Sequence, residues 1–440
     1  MKKKRILGAI ASLFLTAGIV AGQTSSSEMK LSLKEAQDYA VQNNKTMISS
    51  RMDVESSRAS IWETISNLLP SISASGALVD NVKLGSTIVD FGGQQVEITF
   101  GEKFNTSATF NANLVVFNAP ALIGIQTTKL ANKLSESSLL KDELETRESV
   151  GSAYYNILIT EKYLEILEGN IEVLKNMLAS TRSMLAAGMA EQTDVDQMAS
   201  NVNMSENSKS ALLRNNEINY NLMRYLLGVS AETKLSLIET LEDITAKIAV
   251  DDLLAKEFDL KNNIDYMLVE GQTKMSSLML KSQKSSTLPT LAAFSEYGVT
   301  GMGAKFKDQM WFQSASIGLS LSIPIFASGQ RYIQIKKAQI AYDKALNSKE
   351  MVSEQLLIQE KQLRYNLASA NQQYLSQKDN VEISKRVYTS TENKYKQGMA
   401  SSLDLTQANS LYLQAENSYI GALMNLMQTK LALDKLLNNM

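Results

Sequence analysis

The sequence predicts a mainly α-helical protein with a β portion, built as two similar halves. Each half runs opening helix, β-hairpin, long helix and return helix. Three observations carry this. Residues 330–397 are 68 consecutive residues without one Gly or Pro, bracketed by Gly329 and Gly398. A single helix of that length reaches roughly 100 Å at ~1.5 Å per residue. A shift of 210 residues lays Gly188-Met189-Ala190 on Gly398-Met399-Ala400, Asp194 on Asp404 and Leu226-Leu227 on Leu436-Leu437, so the chain repeats internally. Within 71–117 and 290–326, apolar and polar residues alternate, the mark of strands with one greasy and one wet face.

The long segment carries a narrow stripe. Leu367, Tyr374, Val381, Tyr388 and Tyr395 recur every seven residues, and Leu356, Leu363, Ala370, Gln377, Ser384 and Thr391 form a second row that fades to polar. Such a stripe packs along a neighbouring helix in coiled-coil fashion. The shift of 210 gives Ile157, Leu164, Ile171, Leu178 and Leu185 in the first half, all apolar.

In chain order, Lys2-Lys3-Lys4-Arg5 precede an apolar run to Ala21, which reads as a signal peptide over 1–22. Its removal moves the formal charge from −2 to −6 by taking four positive charges and no negative one. The first repeat spans 23–228. A polar leader is followed by a helix from Leu31 to about Asn67, opened by Ser32 and Glu35 at capping-box spacing. Then come a hairpin over 71–117, with strands at 71–78 and 106–116, a long helix over 120–187, a turn at 188–192 and a return helix ending at Gly228. A linker occupies 229–250. The second repeat, 251–440, has an opening helix to about Ser285, a hairpin over 290–326, the long helix 330–397, a turn at 398–402 and a return helix from Ser402. Its hairpin strands are expected at 290–299 and 312–326. All four prolines, Pro70, Pro120, Pro289 and Pro324, fall at hairpin ends, where rigid breakers belong.

The chain has no Cys and no His. Disulfides, thiol nucleophiles, an acyl anchor on a Cys, zinc sites of the usual kind and His-based acid–base catalysis are thereby excluded. No constellation suggests an enzyme, a cofactor or a metal. The mildly acidic body gives no reason to expect nucleic acid.

The alternating segments have about the 9–11 residues that cross a bilayer as tilted strands, and their polar face of Ser, Thr, Asn and Gly suits a water-filled lumen. Four strands cannot close a barrel, and an open edge in lipid leaves backbone groups unsatisfied. Several copies must pool strands; two, three or four copies give eight, twelve or sixteen.

The opening Leu31-Ser32-Leu33-Lys34-Glu35-Ala36 with Asn43-Asn44, the duplicated helix–hairpin–helix order, and Tyr395-Lys396-Gln397-Gly398 followed by Leu403-Asp404-Leu405 and Ala408 together resemble the TolC family of outer-membrane efflux channels. The resemblance covers essentially all of the chain after the leader. It implies a homotrimer with a twelve-stranded barrel in outer-membrane lipid and a periplasmic α-helical barrel. It also implies a periplasmic adaptor and an inner-membrane transporter as partners, with export of small molecules or proteins. Gly188, Met189, Ala190, Gly398, Met399 and Ala400 become adaptor-contact tips. In the family, an Asp of the first turn bonds the Tyr before the second turn; the matching residues are Asp194 and Tyr395. Of two acidic rings at the closed entrance, one matches Asp404 and the other falls on Gln407. An Arg that ties the closed state falls on Ala400, so the lock is reduced. Helix-terminus stabilisation accounts for Asp194 and Asp404 as well as a gate does. The competing reading is a periplasmic coiled-coil adaptor or interaction protein without a pore.

Overall fold

The structure is a computed structural model and describes residues 28–246 and 249–440; the leader expected at 1–22 lies outside the described residues. The chain begins with strand β1 (Met29–Leu31), then helices α1 (Leu33–Asn43) and α2 (Lys45–Ser66). Ser32 and Glu35 form the expected capping box. The opening helix is not continuous, however. Asn44 leaves helical geometry at φ −59°, ψ 136°, and its side chain accepts from the Thr46 N–H to start α2.

Strands β2 (Ser71–Asp80), β3 (Gly85–Phe91), β4 (Gln94–Phe100) and β5 (Phe104–Phe117) follow. The loop expected between the first two strands thus holds a hairpin of its own, β3–β4, turning at Gly92-Gly93, both at positive φ. Next come the 68-residue α3 (Ala119–Ala186) and the return helix α4 (Gln192–Leu227). Strand β6 (Leu235–Leu237) pairs parallel with β1, so the expected leader and linker contribute one small sheet. Short helices α5 (Leu241–Ala246) and α6 (Val250–Ala255) lead to α7 (Ile264–Ser285). The second opening helix is therefore also interrupted, and it starts afresh at Asn263. Strands β7 (Thr290–Gly303) and β8 (Met310–Ser322), the long α8 (Gln330–Lys396) and α9 (Ser402–Leu436) complete the chain. β8 ends before Pro324 rather than reaching Phe326, because a proline cannot donate to the ladder.

Helix α2 packs along the first part of α3, where the Thr64 and Thr128 hydroxyls share a hydrogen bond and Ser50 donates to Asp142. Helix α4 packs along the remainder, through Asn219 to Thr160 and Lys209 to Glu168. The C-terminus of α4 abuts the N-terminus of α2: the Asn44 Nδ2 donates to the Leu226 carbonyl at 2.7 Å. The same contact recurs between α9 and α7, where Asn263 donates to the Leu436 carbonyl at 3.1 Å and caps α7 through Asp265 and Tyr266. Gly228 closes α4 at φ +73°, and a Cβ there would lie 2.5 Å from the Asn43 carbonyl oxygen. Only glycine satisfies both demands.

The long helices use the stripes read from the sequence. Leu356, Leu367, Ala370, Tyr388 and Tyr395 are buried on α8, and Ile157, Leu164 and Ile171 on α3. The main core surrounds the middle of α3, where Val150, Tyr154 and Ile157 meet Ala36, Leu227, Leu423 and Met427. Tyr154 donates to the Leu31 carbonyl, fastening the small sheet to that core.

Candidate functional site

Two parts of the molecule bear on function: the main sheet at one end of the helices and the two helical turns at the other. The sheet is four antiparallel strands in the order β2-β5-β7-β8. Its register puts Ile72, Ala74 and Gly76 beside Ala112, Phe110 and Ala108, with Leu78 next on the same face, and carries that face on through Tyr297 and Leu291 to Ile317, Leu319 and Leu321. Ile72 is 81% exposed and Ile317 87% exposed, so one whole apolar face has no partner within the chain. The opposite face presents Ser71, Ser73 and Ser75 beside Thr109, Asn111 and Asn113, then Ser314, Ser316 and Ser320. Phe306 and Trp311 lie towards one margin, Phe117 and Phe326 at the other, as aromatic girdles do. Both outer strands, β2 and β8, have an unpaired edge within the chain. No described helix is long and apolar enough to cross a membrane, which leaves the sheet as the element suited to lipid.

At the far end, each turn is a Schellman motif. Gly188 stands at φ +72°, with its N–H on the Leu185 carbonyl and that of Met189 on Met184. Gly398 stands at φ +75°, with its N–H on Tyr395 and that of Met399 on Lys394. Left-handed backbone is why glycine occupies both positions. Met189 and Met399 are exposed, while Ala190 and Ala400 are half-buried.

Asp194 crosses between the turns. The Ser402 hydroxyl donates to its Oδ1 at 2.6 Å, and the Glu191 N–H donates to Oδ2 at 3.0 Å. The Ser402 hydroxyl first, and the Glu191 amide second, hold the Asp194 carboxyl below the usual carboxylate range. The bond expected between Asp194 and Tyr395 is not formed. The Tyr395 hydroxyl instead lies 3.1 Å from the Thr181 hydroxyl and 3.8 Å from the Met184 sulfur, inside the seam. The stripe position of Tyr395 turns its ring into the packing between α8 and α3, away from the turn.

Asp404 sits at the third position of a capping box in α9. It accepts from the Ser401 N–H at 2.9 Å and from the Ser401 hydroxyl at 2.7 Å, and these bonds, the hydroxyl first, lower its pKa. Gln407 is exposed one turn further on. Thus Asp194 joins the two turns, Asp404 serves its own helix start, and Tyr395 belongs to the seam.

Sequence reasoning missed Ser402, although Ser401-x-x-Asp404 announces a helix start and places Ser402 at its first turn. It also missed Thr181, which is 1% exposed. Further along the same bundle the Asn170 amide donates to Asn409 at 2.7 Å, and Tyr388 stacks on Tyr412 with centroids 5.8 Å apart.

Comparison with curated proteins by sequence gives no match. Among solved structures the fold is similar to the outer membrane protein VceC of Vibrio cholerae, at 13% identity and a TM-score of 0.74, covering 92% of this chain and 95% of that one. It is similar to the Campylobacter jejuni CmeC outer membrane channel, at 16% identity and a TM-score of 0.71, over 92% and 85% of the two chains. It is also similar to the Neisseria gonorrhoeae MtrE channel in its open state, at 15% identity and a TM-score of 0.73, over 92% and 88%. The family of outer membrane efflux proteins matches residues 37–229 and 279–439, most of the chain and both sets of long helices. The chain belongs to the outer membrane efflux protein family, whose members are exit ducts in the outer membrane.

Proposed function

We propose that three copies of this chain close a twelve-stranded barrel, continued by a helical tunnel, which passes substrate from a periplasmic adaptor and an inner-membrane transporter to the exterior. The observation that carries it is the β2-β5-β7-β8 sheet, with one continuous apolar face, one small polar face and two open edges. Pairing β2 of one copy with β8 of the next removes every edge, as lipid requires, and turns the Ser and Asn face inward. The helices keep the same lateral order. α2, α3, α7 and α8 are neighbours near the sheet, and α4, α3, α9 and α8 near the turns, so each level supplies four helices per copy.

The reading of the chain as two duplicated halves is supported by pairs of equivalent details. Asn44 on Leu226 answers Asn263 on Leu436, and Gly188 answers Gly398. At the turns, Gly188 to Ala190 and Gly398 to Ala400 form the surface offered to the adaptor, with Met189 and Met399 as its apolar points. Asp194, Tyr395, Asp404 and Gln407 surround the entrance, with the bond from Ser402 to Asp194 as the tie between the two turns. Neither the sheet nor the family supports a poreless adaptor.

The native chain has no cysteine, so Ser73→Cys on β2 with Ser320→Cys on β8 gives a clean test. Oxidation of the double variant in outer-membrane fractions should yield covalent trimers and neither single variant should. Products that stop at dimers, or only intramolecular disulfides, would refute the closed trimer.

A further inference from the structure

The helix ends next to the sheet carry an uneven charge. In the last two turns of α7 and the first two of α8 stand Lys281, Lys284, Arg331, Lys336 and Lys337; the last two turns of α2 hold Glu63 alone, and the first two of α3 hold no charge. The whole chain, by contrast, has 44 basic against 46 acidic residues. The four lysines are exposed, and none forms an ion pair among the described residues. Arg331 is half-buried and donates to the Pro324 carbonyl at 3.0 Å, tying the loop 323–329 to the start of α8.

That loop continues the membrane face. Ile323 and Ile325 follow Ile317, Leu319 and Leu321 in the same alternation, beyond the last ladder pair Thr290–Ser322. Ile325 is 92% exposed and Phe326 85% exposed. Apolar side chains that extend a lipid-facing row past the sheet, followed within two helical turns by unpaired cations, match the boundary between acyl chains and headgroups. The lysine stems can cover apolar surface while their ammonium groups reach the headgroup level.

We propose that this α7–α8 patch with loop 323–329 binds anionic phospholipid of the periplasmic leaflet, the loop entering the acyl region and Lys281, Lys284, Lys336 and Lys337 holding phosphates that no headgroup cation neutralises. Three copies place a basic collar around an otherwise mildly acidic protein. This rests on the reading that the sheet lies in the membrane.

The chain has two tryptophans, Trp62 in the last two turns of α2 and Trp311 at the far margin of the sheet. In a Trp311→Phe background, Trp62 reports the lipid at the helix-side boundary. The full chain is reconstituted in vesicles doped with brominated phosphatidylglycerol or brominated phosphatidylcholine, and quenching is measured at low and high salt. Each basic side chain near an anionic surface is expected to favour binding about fivefold. With exposed lysines sharing lipids, the native preference should be about fivefold or more, weakened by salt. The fourfold Lys→Gln variant should lose it and the fourfold Lys→Arg variant should keep it, both migrating as trimers. Equal quenching by the two lipids in the native chain overturns the proposal. So does a Lys→Gln variant that keeps the preference while changing the ion selectivity of the channel, since the lysines then face the lumen. A Lys→Gln variant that falls to monomers while Lys→Arg stays trimeric also overturns it, because the charges then serve the seam between copies. Quenching of Trp62 by neither lipid overturns the proposal, and quenching of Trp311 by neither in a Trp62→Phe background overturns the membrane reading itself.

Discussion

Ser402→Ala removes one hydrogen bond, the one that Asp194 accepts across the two turns, and leaves both helix starts intact. A hydrogen bond to a charged group contributes about 1.5–3 kcal/mol where water is excluded. Asp194 is only half-buried, so solvent competition brings the figure to about 0.5–1 kcal/mol per copy. In the proposed trimer, three copies acting on one entrance would give about 1.5–3 kcal/mol, or about 10- to 150-fold in the ratio of closed to open channel at 1.36 kcal/mol per tenfold. Single-channel recording in planar bilayers reads that ratio directly. Ser401→Ala is the control, because its hydroxyl bonds only Asp404 within α9. Proton concentration supplies a second axis. The folded pKa of Asp194 is depressed, so its contribution is fully present above the ordinary Asp value of about 3.9 and is lost as pH falls through the lowered folded value. The native channel should therefore open more often in that acid window, and Ser402→Ala should respond less. Equal open fractions in Ser402→Ala and Ser401→Ala, or an acid response unchanged by Ser402→Ala, would refute the tie.

Gly228→Ala should destabilise the α4–α2 junction by about 2–5 kcal/mol, from left-handed strain of about 1–2 kcal/mol and the clash with Asn43. Gly188→Ala, at similar φ in open space, should lose only the strain term, and hydrogen exchange at Leu226 and Asn44 reads the difference. Leu319→Arg on the apolar face should cost about 2–4 kcal/mol of assembled stability near the bilayer middle, against little for Ser316→Arg on the polar face; heat-modified gel migration distinguishes them. Asp404→Ala should weaken block by divalent cations and lower cation selectivity, since in the proposed trimer three carboxylates near one axis would attract multivalent cations. Unchanged block would leave the Ser401 capping box as the whole role of Asp404.

The long helices were legible because a stretch free of Gly and Pro with a seven-residue stripe has few other conformations open to it. The strands of the main sheet were legible from alternation, and their ends shifted by a few residues where Pro324 and Asp80 set limits that alternation does not record. Three things escaped. The first is the β3–β4 hairpin between the strands expected at 71–78 and 106–116, although Gly92-Gly93 between Ile88, Val89, Val96 and Ile98 carries a hairpin signature. The breaks at Asn44 and Asn263 depend on carbonyls 182 and 173 residues away, and no local window contains those. At the turns, the family resemblance implies that Asp194 and Tyr395 meet, but it does not orient their side chains. A buried aromatic on a packing stripe follows its neighbours Thr181 and Met184, while the half-buried carboxylate takes the hydroxyl the second turn offers.

The end-to-end meeting of α4 with α2, and of α9 with α7, also shapes the electric field along the duct. Each helix carries roughly half a positive charge at its start and half a negative one at its end. Where two helices abut head to tail these partial charges cancel, so the wall offers a passing ion no step halfway along. The residue at each junction suits this. An asparagine side chain donates its amide to a carbonyl in the last turn of one helix, accepts with its oxygen from the first N–H groups of the next, and brings no net charge. An aspartate there would have no proton to donate and would set a full negative charge against carbonyls already negative. With Asn44 and Asn263 in place, the charges a cargo meets along the wall are set by its side chains rather than by a helix-end dipole halfway along.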